Sequence, residues 1–352
     1  MMTLIIASFP VHDGSADELE VVVSGVEEPA RSNVHAMVEP FRFTGTGRLS
    51  QRRAENLRHE SEEKARLALR PFGYYRPAVR SKVTATGDRS WRLVVSITPG
   101  QPVTVARVHV EVTGDGKDLA DFRNWVAAWP LTVGNALIQP DWDEQKQRVL
   151  DIAADHGYLL AQFTEQRMEV DLEQNQANLA LVLATGPQAV MGEVRFDQDI
   201  VNPYIMDNLP RFQPGDPYDA WIMERFRIDV WQSGYFDNIE IIEDRHLEES
   251  PPHVDLDIKL EERPRNTYQG TIGFGTDTGA RVLFSWNRHL LSSRGDSFSL
   301  GTGWQDHNDE FFLRGGYRIP RNVPSRQFWV ADVLLKRENE NLDVRDESND
   351  DT

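Results

Sequence analysis

The chain has 352 residues, of which 39% are hydrophobic, and a formal net charge of −18. This length allows two or three compact units, and the acidic balance argues against nucleic-acid binding, which needs a clustered basic surface. The absence of cysteine excludes disulfides, thiolate metal sites and cysteine nucleophiles. No run of about 18 apolar residues occurs, so any crossing of a membrane must use strands.

Residues 1–17 carry a short apolar patch at 4–9 and small residues at 14–16. Two interpretations fit this pattern equally. One is the remnant of a secretory signal peptide, and the other is an irregular N-terminus that follows a misplaced start codon.

A three-residue turn sequence then recurs along the chain, with spacings of 84 and 77 residues between its glycines. The three copies are Gly73-Tyr74-Tyr75, Gly157-Tyr158-Leu159 and Gly234-Tyr235-Phe236. We predict a structural role for each copy, in which the glycine caps the preceding helix in the left-handed conformation and the tyrosine packs beneath it.

A helix is predicted before each turn, because apolar or small residues recur there at intervals of three or four. These faces carry Leu57, Ser61, Ala65, Ala68 and Phe72; Trp142, Val149, Ile152 and Ala153; and Ile222, Phe226 and Val230. Pro140 and Pro217 each lie 17 residues before a turn glycine and are predicted to start the second and third helices. The first helix has no proline at this offset, and Ser50 is its predicted N-cap.

Two strand-like runs follow each turn, and one further run opens each repeat. The predicted strands are 18–24, 78–85 and 91–98; 104–113, 163–171 and 178–184; and 190–197, 238–243 and 253–261. In the last run Val254, Leu256 and Ile258 alternate with charged residues, which is typical of a strand with one buried face. Each repeat is therefore predicted to be an α+β unit of the order β-α-α-β-β.

From Tyr268 onward the helical period ends, and runs of about ten residues alternate strictly between apolar and small or polar side chains. One face carries aromatic and aliphatic residues, and the other carries glycines with Asn287, Arg314 and Arg318. This pattern predicts antiparallel strands of a transmembrane β-barrel with a polar lumen. A soluble sheet that packs on another layer is the alternative.

The barrel is predicted to be incomplete. The 85 residues after Thr267 hold about five strands of roughly ten residues each. An open sheet in lipid would leave unpaired backbone groups. The sequence is therefore expected to be a truncated product, with the acidic tail 338–352 in a surface loop that leads to a missing strand.

The repeat order, its length and the Gly-Tyr turns resemble the POTRA domain over residues 18–263. POTRA repeats that lead into barrel strands resemble the Omp85 superfamily, and three repeats fit its TamA members. The matching phrases are Phe-Gly-Tyr-Tyr-Arg-Pro at 72–77, Ile-Thr-Pro-Gly-Gln-Pro-Val at 97–103 and Gly-Phe-Gly-Thr-Asp-Thr-Gly-Ala-Arg at 273–281. The predicted domains are 18–100, 101–187 and 188–265 as POTRA 1 to 3, followed by barrel strands over 266–352.

The resemblance implies a location in the outer membrane of a Gram-negative bacterium, with the POTRA domains in the periplasm. It implies contact with outer-membrane lipid, a TamB-like periplasm-spanning partner on POTRA 1, and unfolded outer-membrane or autotransporter clients. It also implies that the first barrel strand is half of a lateral gate through which client strands insert. The predicted gate residues are Gln269, Gly270, Thr271, Ile272, Gly273, Phe274, Gly275 and Thr276.

Two general arguments support this interpretation. The gate strand has glycines at two inward positions and is expected to pair weakly. Each three-stranded repeat leaves a sheet edge where a client can add a strand, whatever its sequence. A BamA-like insertase with five repeats, a two-partner secretion transporter with two, and a soluble periplasmic POTRA adaptor are the alternatives.

No catalytic residue, cofactor or metal site is predicted, and the protein is not expected to be an enzyme. Gly273, Gly275 and Gly279 form a partial glycine pattern, but no helix follows it. The nine histidines show no paired ligand spacing, and His156 is interpreted as a charge partner at a helix C-terminus. The acidic cluster at 346–351 lacks the glycine and spacing of a calcium loop. A hydrolase would need an acid, base or metal group that these residues do not supply.

Overall fold

The computed structural model of the chain describes residues 18–38, 51–87, 90–275, 279–306, 310–321 and 327–337. The chain divides into two compact units. One comprises Met1–Ile152 and Ala161–Ala184, and the other comprises Ala153–Leu160 and Thr185–Thr352. The predicted signal remnant, Ser50, Thr276 and the acidic tail lie outside the described residues.

Three successive segments share the order strand, helix, helix, strand, strand. The first consists of β1 (Glu18–Ser24), α1 (Ala30–Val38), α2 (Gln51–Leu69), β2 (Ala78–Ala85) and β3 (Ser90–Thr98). The second consists of β4 (Thr104–Thr113), α3 (Ala120–Ala127), α4 (Gln139–Asp155), β5 (Gln162–Asp171) and β6 (Gln176–Ala184). The third consists of β7 (Val190–Asp197), α5 (Pro203–Asp207), α6 (Ala220–Gln232), β8 (Phe236–His246) and β9 (His253–Glu262). This order confirms the predicted repeat, while the domain boundaries given above stay a prediction.

Each repeat folds its strands into a three-stranded sheet with the last strand at the centre. The strand orders are β1-β3-β2, β4-β6-β5 and β7-β9-β8. The central strand pairs in parallel with the strand that opens the repeat and antiparallel with its hairpin partner. Within the described residues, the sheet edges are therefore the strand that opens each repeat and the second strand in chain order, which is β2, β5 or β8.

The predicted helix faces are buried, except that Ile152 and Ile222 are half-buried. Leu57, Ser61, Ala65 and Ala68 of α2 lie in the core of the first repeat. The hydroxyl of Ser61 donates to the Arg58 carbonyl at 2.8 Å, so this buried polar group is satisfied. In the third repeat Phe226 and Val230 pack with the buried residues of β9, which are Val254, Leu256, Ile258 and Leu260.

Two predicted boundaries in the third repeat are wrong. Pro217 does not start the helix, because it pairs with Val190 in an isolated bridge, and α6 begins three residues later. The N-cap is Asp219, whose carboxylate accepts from the Trp221 and Ile222 N–H groups at 2.8 and 3.3 Å. The strand predicted over 238–243 continues to His246, since β8 stays paired with β9 after its alternation of apolar residues has ended.

After the third repeat, five strands form an antiparallel sheet in chain order. They are β10 (Asn266–Gly275), β11 (Gly279–Arg288), β12 (Ser297–Gln305), β13 (Glu310–Pro320) and β14 (Phe328–Arg337). The register aligns the predicted faces across the sheet: Trp304 pairs with Val282 and Phe311, and Gly301 pairs with Ser285 and Arg314. In the described residues β10 and β14 are the edges of this sheet, and closure into a barrel stays a prediction.

The helices in the described ranges are too short or too polar for any of them to cross a membrane.

Candidate strand-pairing site

The predicted gate residues lie on β10, at one edge of the five-stranded sheet. Ten residue pairs join β10 to β11, from Asn266 opposite Arg288 to Gly275 opposite Gly279. No strand in the described part of the chain pairs with the other side of β10. Among the described residues, the outer N–H and C=O groups of this strand therefore have no strand partner. Of the predicted gate residues, Gln269 to Gly275 lie on β10, and Thr276 lies outside the described residues.

One face of β10 is apolar and exposed. Ile272 and Phe274 are 86% and 80% exposed, and Tyr268 stacks on Phe284 of β11 with ring centroids 6.5 Å apart. This face continues across the sheet through Val282 and further exposed apolar residues, namely Phe284, Trp304, Phe311, Ile319, Trp329, Val333 and Leu335. Apolar surface of this extent marks contact with lipid or with another chain.

The opposite face combines glycines with long polar side chains. A Cβ on Gly273 would lie 2.9 Å from Nε of Arg281, its partner on β11. A Cβ on Gly316 would lie 2.6 Å from the Ser299 hydroxyl and 2.8 Å from a carboxylate oxygen of Asp332. Asp332 also lies 3.9 Å from the Arg314 guanidinium. The glycines therefore leave room for the charged groups of this face.

The sheet is anchored to the third repeat by the connection between β11 and β12. Leu290 of this connection is buried in the core of the third repeat, and the Asn202 N–H donates to the Ser293 carbonyl at 2.9 Å. The Tyr235 hydroxyl donates to the Gly295 carbonyl at 3.1 Å. Burial, and after it the negative charge of Asp296, raise the pKa of Tyr235 to about 12, which keeps the hydroxyl protonated as a donor.

Asp296 completes this anchor and is only 6% exposed. Its carboxylate accepts from the Ser292 N–H at 3.1 Å, from the Ser292 hydroxyl and from the Tyr317 hydroxyl on β13 at 2.5 Å. Burial acts to raise the pKa of Asp296, but the hydrogen bonds from Ser292 and Tyr317 outweigh it and hold the pKa below its ordinary value. The carboxylate therefore ties the connection to the sheet.

The first two turn glycines join consecutive repeats as well as capping a helix. The Gly73 carbonyl accepts from the Val103 N–H at 2.9 Å, and the Gly157 carbonyl accepts from the Ala189 N–H at 2.8 Å. Both acceptors receive the N–H of a residue just before the strand that opens the next repeat. A Cβ on Gly157 would lie 2.5 Å from the Tyr218 carbonyl oxygen, so the chain passes too close for a side chain. The tyrosines that follow, Tyr158 and Tyr235, are buried, and Tyr74 packs against the core of the first repeat.

His156, which sequence interpretation placed at a helix C-terminus, directly follows α4. Its Nδ1 lies 3.9 Å from a carboxylate oxygen of Asp219, and its carbonyl accepts from the Gln188 side chain at 2.9 Å.

The structure also contains a cluster of potential metal ligands that the spacing of histidines along the sequence did not reveal. His246, His253 and Asp255 lie together at the end of the β8–β9 hairpin, with one potential ligand atom from each residue within 4.8 Å of the others. The two histidines flank a turn that contains Pro251 and Pro252. That hairpin signal would have identified them as neighbours, provided that the predicted strand had extended to His246.

Residues 20–99 match the family model described as POTRA domain TamA domain 1. In structure the chain is similar to BamA from Haemophilus ducreyi lacking POTRA domains 1–3, with 14% identity, a TM-score of 0.53, and coverage of 67% of this chain and 43% of that chain. It is also similar to POTRA3–5 of BamA from Haemophilus influenzae, with 16% identity, a TM-score of 0.39, and coverage of 70% and 96%. CdiB from Acinetobacter baumannii has 13% identity, a TM-score of 0.39, and coverage of 67% and 45%.

The likeness to the Haemophilus ducreyi protein shows a shared fold, in which POTRA-like α+β domains are followed by strands of the BamA type. The chain spans less than half the length of that BamA and of CdiB.

Proposed function

We propose that this chain is the POTRA-bearing part of an Omp85-superfamily protein of the TamA type, which assembles proteins into the outer membrane of a Gram-negative bacterium. One observation carries the proposal. Three β-α-α-β-β repeats lead directly into an antiparallel sheet with an exposed apolar face and a polar, glycine-rich face. The match of residues 20–99 to the first POTRA domain of TamA supports the choice within the superfamily.

On this proposal the apolar face of β10–β14 contacts the hydrocarbon of the outer membrane. Side chains that are half exposed or more, such as Ile272, Phe274 and Trp329, lose unfavourable contact with water there. The glycines and the Arg314–Asp332 pair of the opposite face line a polar lumen, which is the arrangement of membrane barrels. Insertion of client strands needs no catalytic group on this proposal, because the pairing of strands supplies the free energy of insertion.

The β10 edge is the proposed entry point for client strands. A client that pairs with β10 satisfies the open backbone groups of both strands, and main-chain hydrogen bonds depend little on the client sequence. Gly270 and Gly273 reduce the side-chain packing that would favour any one partner strand. Pairing at this edge is therefore suited to exchange between a client strand and a closing strand.

The third repeat offers a second edge for an extended client segment. Strand β8 lies at one edge of the sheet of the third repeat. The groove between β8 and α6 is lined by Ile228, Trp231 and Ile239. Trp231 is 62% exposed. An added strand on β8 would cover these side chains while it gains main-chain hydrogen bonds. A TamB-like periplasm-spanning partner is proposed to use the first repeat, whose edges are β1 and β2.

Site-specific photo-crosslinking tests the entry point. A benzophenone side chain is placed at Thr271 on β10 or at Leu283, its direct partner on β11, in cells that export an autotransporter client. Both positions lie on the polar face, but β11 is paired on both sides. The proposal predicts client adducts at Thr271 that are several times more abundant than those at Leu283.

Equal adducts at the two positions, or adducts only at Leu283, would contradict entry at β10. Fractionation distinguishes the soluble-adaptor alternative, since an adaptor leaves the membrane pellet on alkaline extraction whereas a strand-inserted protein stays in it.

A further inference from the structure

The end of the β8–β9 hairpin carries four potential metal ligands on one face. His246 pairs directly with His253, and Asp244 pairs directly with Asp255. Since side chains two residues apart on a strand share a face, all four point to the same side of the hairpin. The two imidazole rings stack with centroids 4.7 Å apart and an interplanar angle of 18°.

The Nε2 atoms of both histidines face the same carboxylate. Nε2 of His246 lies 3.9 Å from Oδ2 of Asp255, and Nε2 of His253 lies 3.9 Å from Oδ1. Asp244 approaches the Nε2 atom of His246 to 3.4 Å. Two imidazole nitrogens and the Asp255 carboxylate thus converge on one region, and Asp244 lies beside His246 at its margin. Imidazole nitrogens and carboxylate oxygens are donors that zinc and similar divalent cations accept.

The opposite nitrogens face a different carboxylate. Nδ1 of His246 and Nδ1 of His253 lie 3.8 and 3.9 Å from the two oxygens of Glu249. Metal-binding histidines commonly donate their other ring N–H to a carboxylate, which fixes the ring and leaves the metal-facing nitrogen free of a proton. Glu249 faces both rings and can accept from them once the side chains rotate closer by about 1 Å.

Asp255 is held in place by its own partners. Its side chain is 13% exposed, and its oxygens accept from the Glu193 N–H at 2.9 Å and from the Arg195 guanidinium at 3.1 Å. A carboxylate has about four acceptor positions, so the two that these bonds leave can bind a cation.

Repulsion between two aspartates favours the binding of a cation at this end of the hairpin. Asp244 and Asp255 lie directly opposite each other, and like charges at opposed positions destabilise a strand pair. Arg195 contacts Asp255 but is shared with Asp257 and Glu193. A divalent cation between the two aspartates would remove the repulsion.

We propose that His246, His253 and Asp255, with Asp244 as fourth ligand, bind a zinc-class divalent cation that links the two strands of the hairpin. In tetrahedral zinc sites neighbouring ligand atoms lie about 3.3–3.5 Å apart, so the side chains must close by roughly 0.5–1.5 Å through rotation. The bound cation would stabilise the third repeat, because it binds the folded hairpin in preference to the unfolded chain.

Metal titration of the full chain in detergent tests the site. Tag-free protein is stripped with chelator and dialysed, and ZnCl₂ is then titrated by calorimetry and followed by thermal unfolding. The expected results are one equivalent bound and a raised unfolding temperature. His246→Ala, His253→Ala and the milder His246→Gln should each weaken zinc binding by at least about tenfold.

His109→Ala is the matched control, because His109 is an exposed strand histidine that lies 3.4 Å from the carboxylate of Glu111 but has no histidine opposite it. It should leave zinc affinity unchanged. Circular dichroism of each metal-free variant reports whether the fold is retained. The proposal is overturned if the parent chain binds no zinc, or if folded variants at 246 and 253 bind it as the parent does. Either result leaves the strand-entry proposal untouched.

Discussion

At the scale of single residues, the anchor between the third repeat and the strand sheet depends on a few buried polar contacts. The Tyr235 hydroxyl bonds to the Gly295 carbonyl, and the Asp296 carboxylate is surrounded by the donors of Ser292 and Tyr317. A buried hydrogen-bonding group that loses its partner costs roughly 1–3 kcal/mol. These side chains therefore matter more for the connection than its exposed residues do.

Acidification should weaken this anchor through Asp296. The hydrogen bonds hold its pKa below the ordinary 3.8, so the carboxylate adds stability above that value and loses this contribution as the pH falls through the lower, folded-state pKa. In Asp296→Asn the anchor no longer titrates. We expect the variant to be less stable than the parent at pH 7, with a difference that shrinks as the pH falls below about 4.

Urea unfolding of the full chain at pH 7 and at pH 3.5 measures this effect. Asp199→Asn, at an exposed position, is the control for the general effect of losing one negative charge. If the difference between parent and Asp296→Asn were the same at both pH values, the carboxylate would not be the titrating group.

At the scale of elements, the turn after each second helix has a different role in different repeats. Gly157 and Gly234 have nearly the same left-handed φ, +77° and +78°. A Cβ on Gly157 would lie 2.5 Å from the Tyr218 carbonyl oxygen, whereas a Cβ on Gly234 would meet nothing within 4 Å. The turn at Gly157 is pressed against the next repeat, and the turn at Gly234 is open.

Alanine substitution at these two glycines should therefore give unequal effects. Gly234→Ala has only the strain of the left-handed conformation, about 1 kcal/mol. Gly157→Ala adds the displacement of the Tyr218 backbone, which we expect to cost roughly a further 1–3 kcal/mol. Denaturant unfolding of the two single variants compares their free energies of unfolding directly. Equal losses of stability would contradict the close approach of the Tyr218 backbone to Gly157.

At the scale of the whole molecule, the five-stranded sheet has two faces that fit different surroundings. The same strand presents Ile272 on the apolar face and Thr271 on the polar face, and both side chains are exposed. If the apolar face lies in lipid, a charge placed on it is penalised by contact with hydrocarbon, whereas a charge on the polar face is not.

Lysine substitution on the two faces tests the proposed membrane contact. Ile272→Lys should lower partition of the full chain into phospholipid vesicles by more than tenfold, since a lysine facing the middle of a bilayer costs about 2–4 kcal/mol. Thr271→Lys adds the same charge to the polar face and should have little effect. Vesicle flotation after detergent dilution measures both variants, and equal partition would contradict lipid contact on the apolar face.

The sequence by itself determined the local pattern of this protein. Helical and strand periodicities depend on neighbouring residues, so they predicted the β-α-α-β-β order, the buried faces of α2 and β9, and the two-faced strands after Tyr268. The errors arose where a local signal met a competing contact. Pro217 suited a helix start but pairs with Val190, and β8 outlasts its apolar alternation because β9 remains beside it.

Only the tertiary structure decided which distant groups meet. Tyr235 and Gly295 are 60 residues apart, and their contact depends on how the β11–β12 connection packs into the third core. His246 and His253 become neighbours only through the register of the hairpin. A periodic pattern states which face a residue occupies, but it carries no information on what lies opposite. The anchor, the repeat junctions and the metal-ligand cluster therefore required the folded chain.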